Sequence, residues 1–238
     1  MNSDLNQSPV AKGFSILVVA PHADDETLGL GGTIARFVDE GHRVTVAVMT
    51  GEGSEPHPFV TRESIATVRA EFGRAMDVLG VTETLFHEFA TTLLDTFPQY
   101  QINKVAAEIV EHVRPDMVFL PFEHDLHKDH EILNYAFRVA LRPHLPSNRV
   151  PHMVLSYETP TETHLQSPHL RPSFEPNFWV DISAQLERKL KALSRFESQI
   201  PPAPGLRSVE TLRALATWRG SQIGVRAAEA FMLLRQVI

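Results

Sequence analysis

The stretch Phe14-Ser15-Ile16-Leu17-Val18-Val19-Ala20-Pro21-His22-Ala23-Asp24-Asp25-Glu26 carries the reading that decides the fold. Its first seven residues form a short, nearly continuous apolar run rich in β-branched side chains. That is the pattern of a strand covered on both faces. Leu28, Ile34, Ala35 and Val38 then recur at spacings near three and four, so a helix is expected over 27–40, with Gly41 as its stop. A fully apolar strand feeding directly into a helix opens a parallel α/β unit.

The same alternation continues outward. Strands are expected at 43–49, 83–87 and 117–122, and helices at 61–79, 100–113 and 130–141. After Pro143 the rhythm changes. A strand is expected at 150–157, a long loop rich in Pro, Thr and His at 160–176, a strand at 177–182 and a helix at 183–197. Residues 208–220 and 225–234 read as largely helical, with helix or strand left open for the last stretch. The expected fold is a single α/β domain over 13–238, with a mostly parallel, Rossmann-like sheet and helices on both faces, after an N-terminal tail of residues 1–12.

Composition narrows the function. Lys and Arg number 22 against 29 Asp and Glu, a formal charge of −7, which disfavours the clustered positive field that nucleic acid requires. No apolar run reaches the roughly 18–20 residues of a membrane span, and residues 1–12 lack the basic start and apolar core of a signal peptide. A cytoplasmic protein is the expectation. There is no cysteine, so thiolate zinc sites, iron–sulfur clusters and cysteine nucleophiles are excluded. Any metal has to be held by carboxylates and by some of the 12 histidines.

Two clusters supply such groups. Pro21-His22-Ala23-Asp24-Asp25-Glu26 follows the first expected strand. Glu123-His124-Asp125-Leu126-His127-Lys128-Asp129-His130 follows the strand at 117–122. In an open parallel sheet both loops open on the crevice at the carboxyl ends of the strands. Helix capping would explain one acid in the first cluster, but adjacent carboxylates repel unless a cation or a proton relieves them. Two His and one carboxylate with an open position form a catalytic zinc set, and the same donors suit iron(II). Gly29-Leu30-Gly31-Gly32 imitates a dinucleotide turn, but the third glycine of that motif is missing and three acids precede it. Close packing of the helix is the better account of these glycines. No G-x-S-x-G elbow and no Walker A sequence occurs.

With both clusters in view, the chain resembles the LmbE-like, PIG-L-type N-acetylglucosaminyl deacetylases over about residues 13–232. That family carries P-H-x-D-D-E after its first strand and H-x-D-H after a later one, here Pro21–Glu26 and His127-Lys128-Asp129-His130. The resemblance implies a zinc-dependent hydrolase that removes acetyl from an N-acetylated amino sugar. It implies His22, Asp25 and His130 as zinc ligands, Asp24 as general base, and His127 as the residue that stabilises the oxyanion and can protonate the leaving amine. Asp129 would be a supporting acid able to favour charged His127 or to orient a metal-bound His, and Arg69 a looser match to a substrate-binding arginine, with Arg62 its rival. His124 and Asp125 are expected to be solvated loop residues. The competing readings are a metal-dependent amidase on a non-sugar N-acyl compound and a non-catalytic sugar-binding protein. The expected partner is a small N-acetylated sugar, and a homo-oligomer stays open.

Overall fold

The computed structural model describes residues 13–143 and 150–238, so the expected tail at 1–12 lies outside the described residues. Seven strands form one sheet in the order β3-β2-β1-β4-β5-β7-β6. β1 (Ser15–Ala20), β2 (Arg43–Gly51), β3 (Glu83–Ala90), β4 (Met117–Pro121) and β5 (Met153–Tyr157) run parallel. β7 (Ala228–Gln236) runs antiparallel between β5 and β6 (Phe178–Asp181).

The apolar run of β1 is buried throughout because the sheet is covered twice. Ile16, Val18 and Ala20 face a core built with α1 (Asp25–Asp39), α2 (Arg62–Leu79) and α6 (Leu186–Leu193). Leu17 and Val19 face a second core built with α3 (Gln99–Val113) and α4 (Lys128–Ala140). The period-two alternation of a strand thus divides one hydrophobic run between two layers. A one-turn helix, α5 (Pro160–Thr163), and the longer α7 (Val209–Ser221) complete the chain.

Two expectations are corrected. Residues 228–236 are a strand, set in the sheet between β5 and β6 and hydrogen-bonded to both, with Ala228–Phe231 buried. The helix expected at 183–197 is trimmed to α6, with turns at either end. The loop at 160–176 holds α5 and is otherwise irregular.

One detail of topology places the site. The strand order reverses direction at the neighbours β1 and β4, which pair from Ile16↔Met117 to Val18↔Phe119. This is the switch point at which open α/β sheets bind ligands, because the following connections diverge to opposite faces and leave a crevice. Both clusters stand there. α1 begins at Asp25 and α4 at Lys128, earlier than the expected helix starts. The acidic residues therefore form the first turns themselves, where unpaired N–H groups and the helix dipole favour negative charge.

Candidate metal centre and active site

The turn from β1 into α1 is pinned by β2. Thr50 donates its N–H (3.2 Å) and its hydroxyl (2.7 Å) to the Pro21 carbonyl. His22 N–H donates to Asp25 Oδ2 at 3.0 Å, which turns the Asp25 side chain back towards the His22 ring. Gly29 lets this turn lie against β5, for a Cβ there would sit 2.4 Å from the Tyr157 ring. The close packing expected of the glycines is thereby found.

Ligand atoms of His22, Asp25 and His130 lie within 4.8 Å of one another. Asp25 Oδ2 is 3.2 Å from His22 Nδ1 and 3.2 Å from His130 Nε2. The far nitrogen of each ring is held by another carboxylate: His22 Nε2 by Asp129 at 3.1 Å, and His130 Nδ1 by Asp125 at 2.7 Å. His130 Nε2 is fully buried, and among the described residues its close polar neighbour is the Asp25 carboxylate, which it faces as an ion pair. A His with one nitrogen fixed by a carboxylate and the other turned to a shared acidic ligand is the usual metal-bound arrangement. These residues fit a divalent cation. A second set, His22, His127 and Asp129, also falls within 4.8 Å. It fits less well, because Asp129 already accepts from Thr92 N (2.8 Å) and Leu94 N (3.2 Å) besides facing His22.

The electrostatics agree. Burial alone would lower both histidines, yet Asp129 and Asp25 lift His22 to about 9, and Asp25 and Asp125 lift His130 to about 10. Burial raises Asp25, and His130 and His22 overturn it, holding Asp25 well below the usual carboxylate range. The pocket calls for positive charge where the three ligand atoms converge.

Asp24 is buried beside this centre. Burial and the neighbouring Asp25 raise it to about 6, against the pull of Arg207, whose Nη1 donates to Asp24 Oδ2 at 2.8 Å. Glu26 points inwards, accepts from the Thr27 hydroxyl at 2.6 Å and is pushed up to about 8, chiefly by burial. His127 caps α4, its Nδ1 accepting the Asp129 N–H at 3.2 Å. That leaves Nε2 as the proton-bearing nitrogen of a neutral ring. Burial and His22 push His127 down to about 4.

One expectation changes and one left open is narrowed. The Asp129 carboxylate pairs with His22 and not His127, so of its two expected roles the geometry supports orienting a metal-bound His over favouring a charged His127. Asp125 is 2% exposed and orients His130, with Thr163 donating to its other oxygen at 2.6 Å; it is no solvated loop residue. His124 does lie outside the cluster, half-buried against Phe122. Arg207 went unnoticed, and nothing local could have flagged it, since it joins Asp24 across 183 positions. Asp125 had a signal: a carboxylate on the turn directly after β4, five residues before His130.

A cavity of about 330 Å³ opens on His22, Asp24, His127 and Arg207. Arg69 lines it, with its guanidinium 4.7 Å above the Phe86 ring and 2.6 Å from Glu88. Arg62 pairs with Glu52 outside this cavity.

Comparison with known proteins agrees with this architecture. Residues 17–141 match the PIG-L family, described as GlcNAc-PI de-N-acetylase. That span holds both clusters and more than half of the chain, and the chain belongs to this family of deacetylases. A diacetylchitobiose deacetylase of Thermococcus kodakarensis is 28% identical over 220 residues, 90% of this chain and 80% of that one. A probable N-acetyl-α-D-glucosaminyl L-malate deacetylase 2 of Bacillus anthracis is 27% identical, over 77% of this chain and 80% of that one. Among solved structures, the N,N'-diacetylchitobiose deacetylase of Pyrococcus horikoshii superposes with a TM-score of 0.71 at 25% identity, covering 92% of this chain and 83% of its own.

Proposed function

We propose that the protein is a metal-dependent deacetylase of an N-acetylated amino sugar of the N-acetylglucosamine type, with His22, Asp25 and His130 holding zinc. One observation carries the reading. His22, Asp25 and His130 converge their ligand atoms, each ring is fixed from behind by another carboxylate, and His22 opens on a cavity that also meets Asp24 and His127. Iron(II) would satisfy the same donors.

Zinc in that position lowers the pKa of water and polarises an acyl oxygen. Asp24 accepts the proton as water attacks the amide carbon, and its raised pKa keeps it a usable base near neutral pH. The neutral His127 donates Nε2–H to the oxyanion that develops as the C–O bond forms. When the C–N bond breaks, Asp24 returns the proton to the departing nitrogen. The products are acetate and a free amine. Arg207 holds the Asp24 carboxylate in the orientation these transfers need.

The test is metal analysis of purified protein, together with acetate release from N-acetylglucosamine conjugates with and without a chelator. We expect about one zinc per chain and release that the chelator stops. Asp24→Asn should retain the metal and lose about 10²- to 10⁴-fold in kcat. Full activity in Asp24→Asn, or no bound metal after zinc is supplied, removes the mechanism.

A further inference from the structure

α2 carries an apolar stripe at Ile65, Val68, Phe72, Ala75, Met76 and Leu79, the helical spacing of a core-facing surface. Only its second half is covered. From Glu71 onward the segment after α6 closes over the helix, Ser198 donating its N–H (2.9 Å) and its hydroxyl (2.6 Å) to the Glu71 carboxylate. Phe72, Ala75, Met76 and Leu79 are buried there. Ile65 and Val68 stay half-open and face the 330 Å³ cavity. Opposite them stand Val48 of β2 and Phe86 of β3, which pair in the sheet, with Val60 above. Phe86 packs edge-on against Phe72 at 5.2 Å, yet is 36% exposed and lines the cavity. The cavity is therefore the unfilled end of the core between α2 and the sheet, continuous with the candidate metal centre.

From this we infer that the substrate's aglycone, the group attached to the amino sugar, is apolar, and that it lies against Ile65, Val68 and Phe86. The inference rests on the deacetylase reading. If the acyl group is acetyl, its single methyl cannot cover a wall of five apolar side chains, so the wall serves the other side of the amide. A sugar ring presents hydroxyls on its edge and suits the Thr50, Thr92 and Arg207 end. An anionic aglycone would need a cation. Both guanidinium groups lining the cavity are already matched by carboxylates, Arg69 by Glu88 at 2.6 Å and Arg207 by Asp24 at 2.8 Å and Glu162 at 3.2 Å. An apolar chain buries the exposed faces of the stripe and displaces water that the wall cannot hydrogen-bond.

The experiment uses the metal-loaded full chain and N-acetylglucosamine glycosides with methyl, propyl and hexyl aglycones. A parallel series lengthens the N-acyl group on the methyl glycoside. Binding of the already deacetylated methyl and hexyl glucosaminides is measured by calorimetry, which needs no turnover. We expect kcat/KM to rise about fourfold per methylene, the equivalent of about 0.8 kcal/mol, until the cavity is full. Val68→Thr and Ile65→Thr, which keep β-branched shape and add a hydroxyl, should flatten that slope. A flat aglycone series with active enzyme overturns the inference and leaves the deacetylase reading intact. A rise confined to the N-acyl series also overturns it. Tighter binding of the hexyl glucosaminide with no acetate release from any compound upholds the apolar subsite and removes the deacetylase reading.

Discussion

At the scale of single residues, the candidate centre is decided by what stands behind the histidines. Asp125 fixes His130 through Nδ1 and so leaves Nε2 for the cation. Asp125→Asn should weaken zinc binding about 10- to 100-fold, read by competition with a chromophoric chelator, with little change in far-UV circular dichroism. Unaltered affinity would show that His130 needs no such support. Glu26 behaves differently, because burial raises it to about 8 from an ordinary value near 4.5. Between those values the native state holds a proton that the unfolded chain has lost. Its contribution to stability is thus present at low pH and drains away as pH rises from about 5 to about 8. Glu26→Gln should remove this slope: in metal-free protein, the variant's urea stability relative to wild type should improve from pH 5.5 to pH 8.5. A constant difference across that range would refute the assignment.

At the scale of elements, α1 is two helical pieces joined by a kink at Leu30, where φ is −145° and ψ is 25°. The kink strands backbone groups that a straight helix would pair. Glu229 of β7 accepts from Gly32 N (3.0 Å) and Thr33 N (2.6 Å), while Lys189 of α6 donates to the Leu28 carbonyl at 2.9 Å and pairs with Glu229. Both side chains are almost fully buried. Removing one partner of a buried pair costs about 3–5 kcal/mol, because the other is left uncompensated. Glu229→Gln should therefore lose stability on that order in chemical denaturation, whereas the double change Glu229→Gln with Lys189→Met should recover part of it. A double variant as unstable as the sum of the two singles would argue against coupling. β7 is also the element that local reading left undecided. Its sequence, Ala228-Glu229-Ala230-Phe231-Met232-Leu233-Leu234-Arg235-Gln236, shows neither a clean two-residue alternation nor the stripe of an amphipathic helix, so its hydrogen-bond partners on β5 and β6 had to decide it.

At the scale of the whole molecule, a cation at the candidate centre would tie the two halves of the parallel sheet together. His22 and Asp25 follow β1 and His130 follows β4, so a cation held by all three bridges the crevice at the switch point. Such a ligand binds only the folded chain, and stability should grow with zinc as RT ln(1 + [L]/Kd), about 2.7 kcal/mol at a hundredfold excess over Kd. Thermal unfolding of wild type with graded zinc should show that rise, and Asp25→Asn should abolish most of it. A zinc-independent melting temperature in wild type would place the metal outside the folded centre. No helix among the described residues is long and apolar enough to cross a membrane.

Local sequence was enough to read the parallel α/β layout as far as β4, the placing of both acidic clusters at one sheet edge, and the residue types able to hold a cation. Each is a local property: hydrophobic period, helix stop, or donors within a few residues of one another. The packed chain, not the local sequence, settles which carboxylate serves which histidine, that Arg207 joins Asp24, that β7 is a strand, and that α2 leaves Ile65 and Val68 facing a cavity. The physical reason is common to all four. Asp129 reaches His22 across 107 positions and Arg207 reaches Asp24 across 183, and the partner of a buried polar group or an apolar face is set by what the packed chain brings beside it.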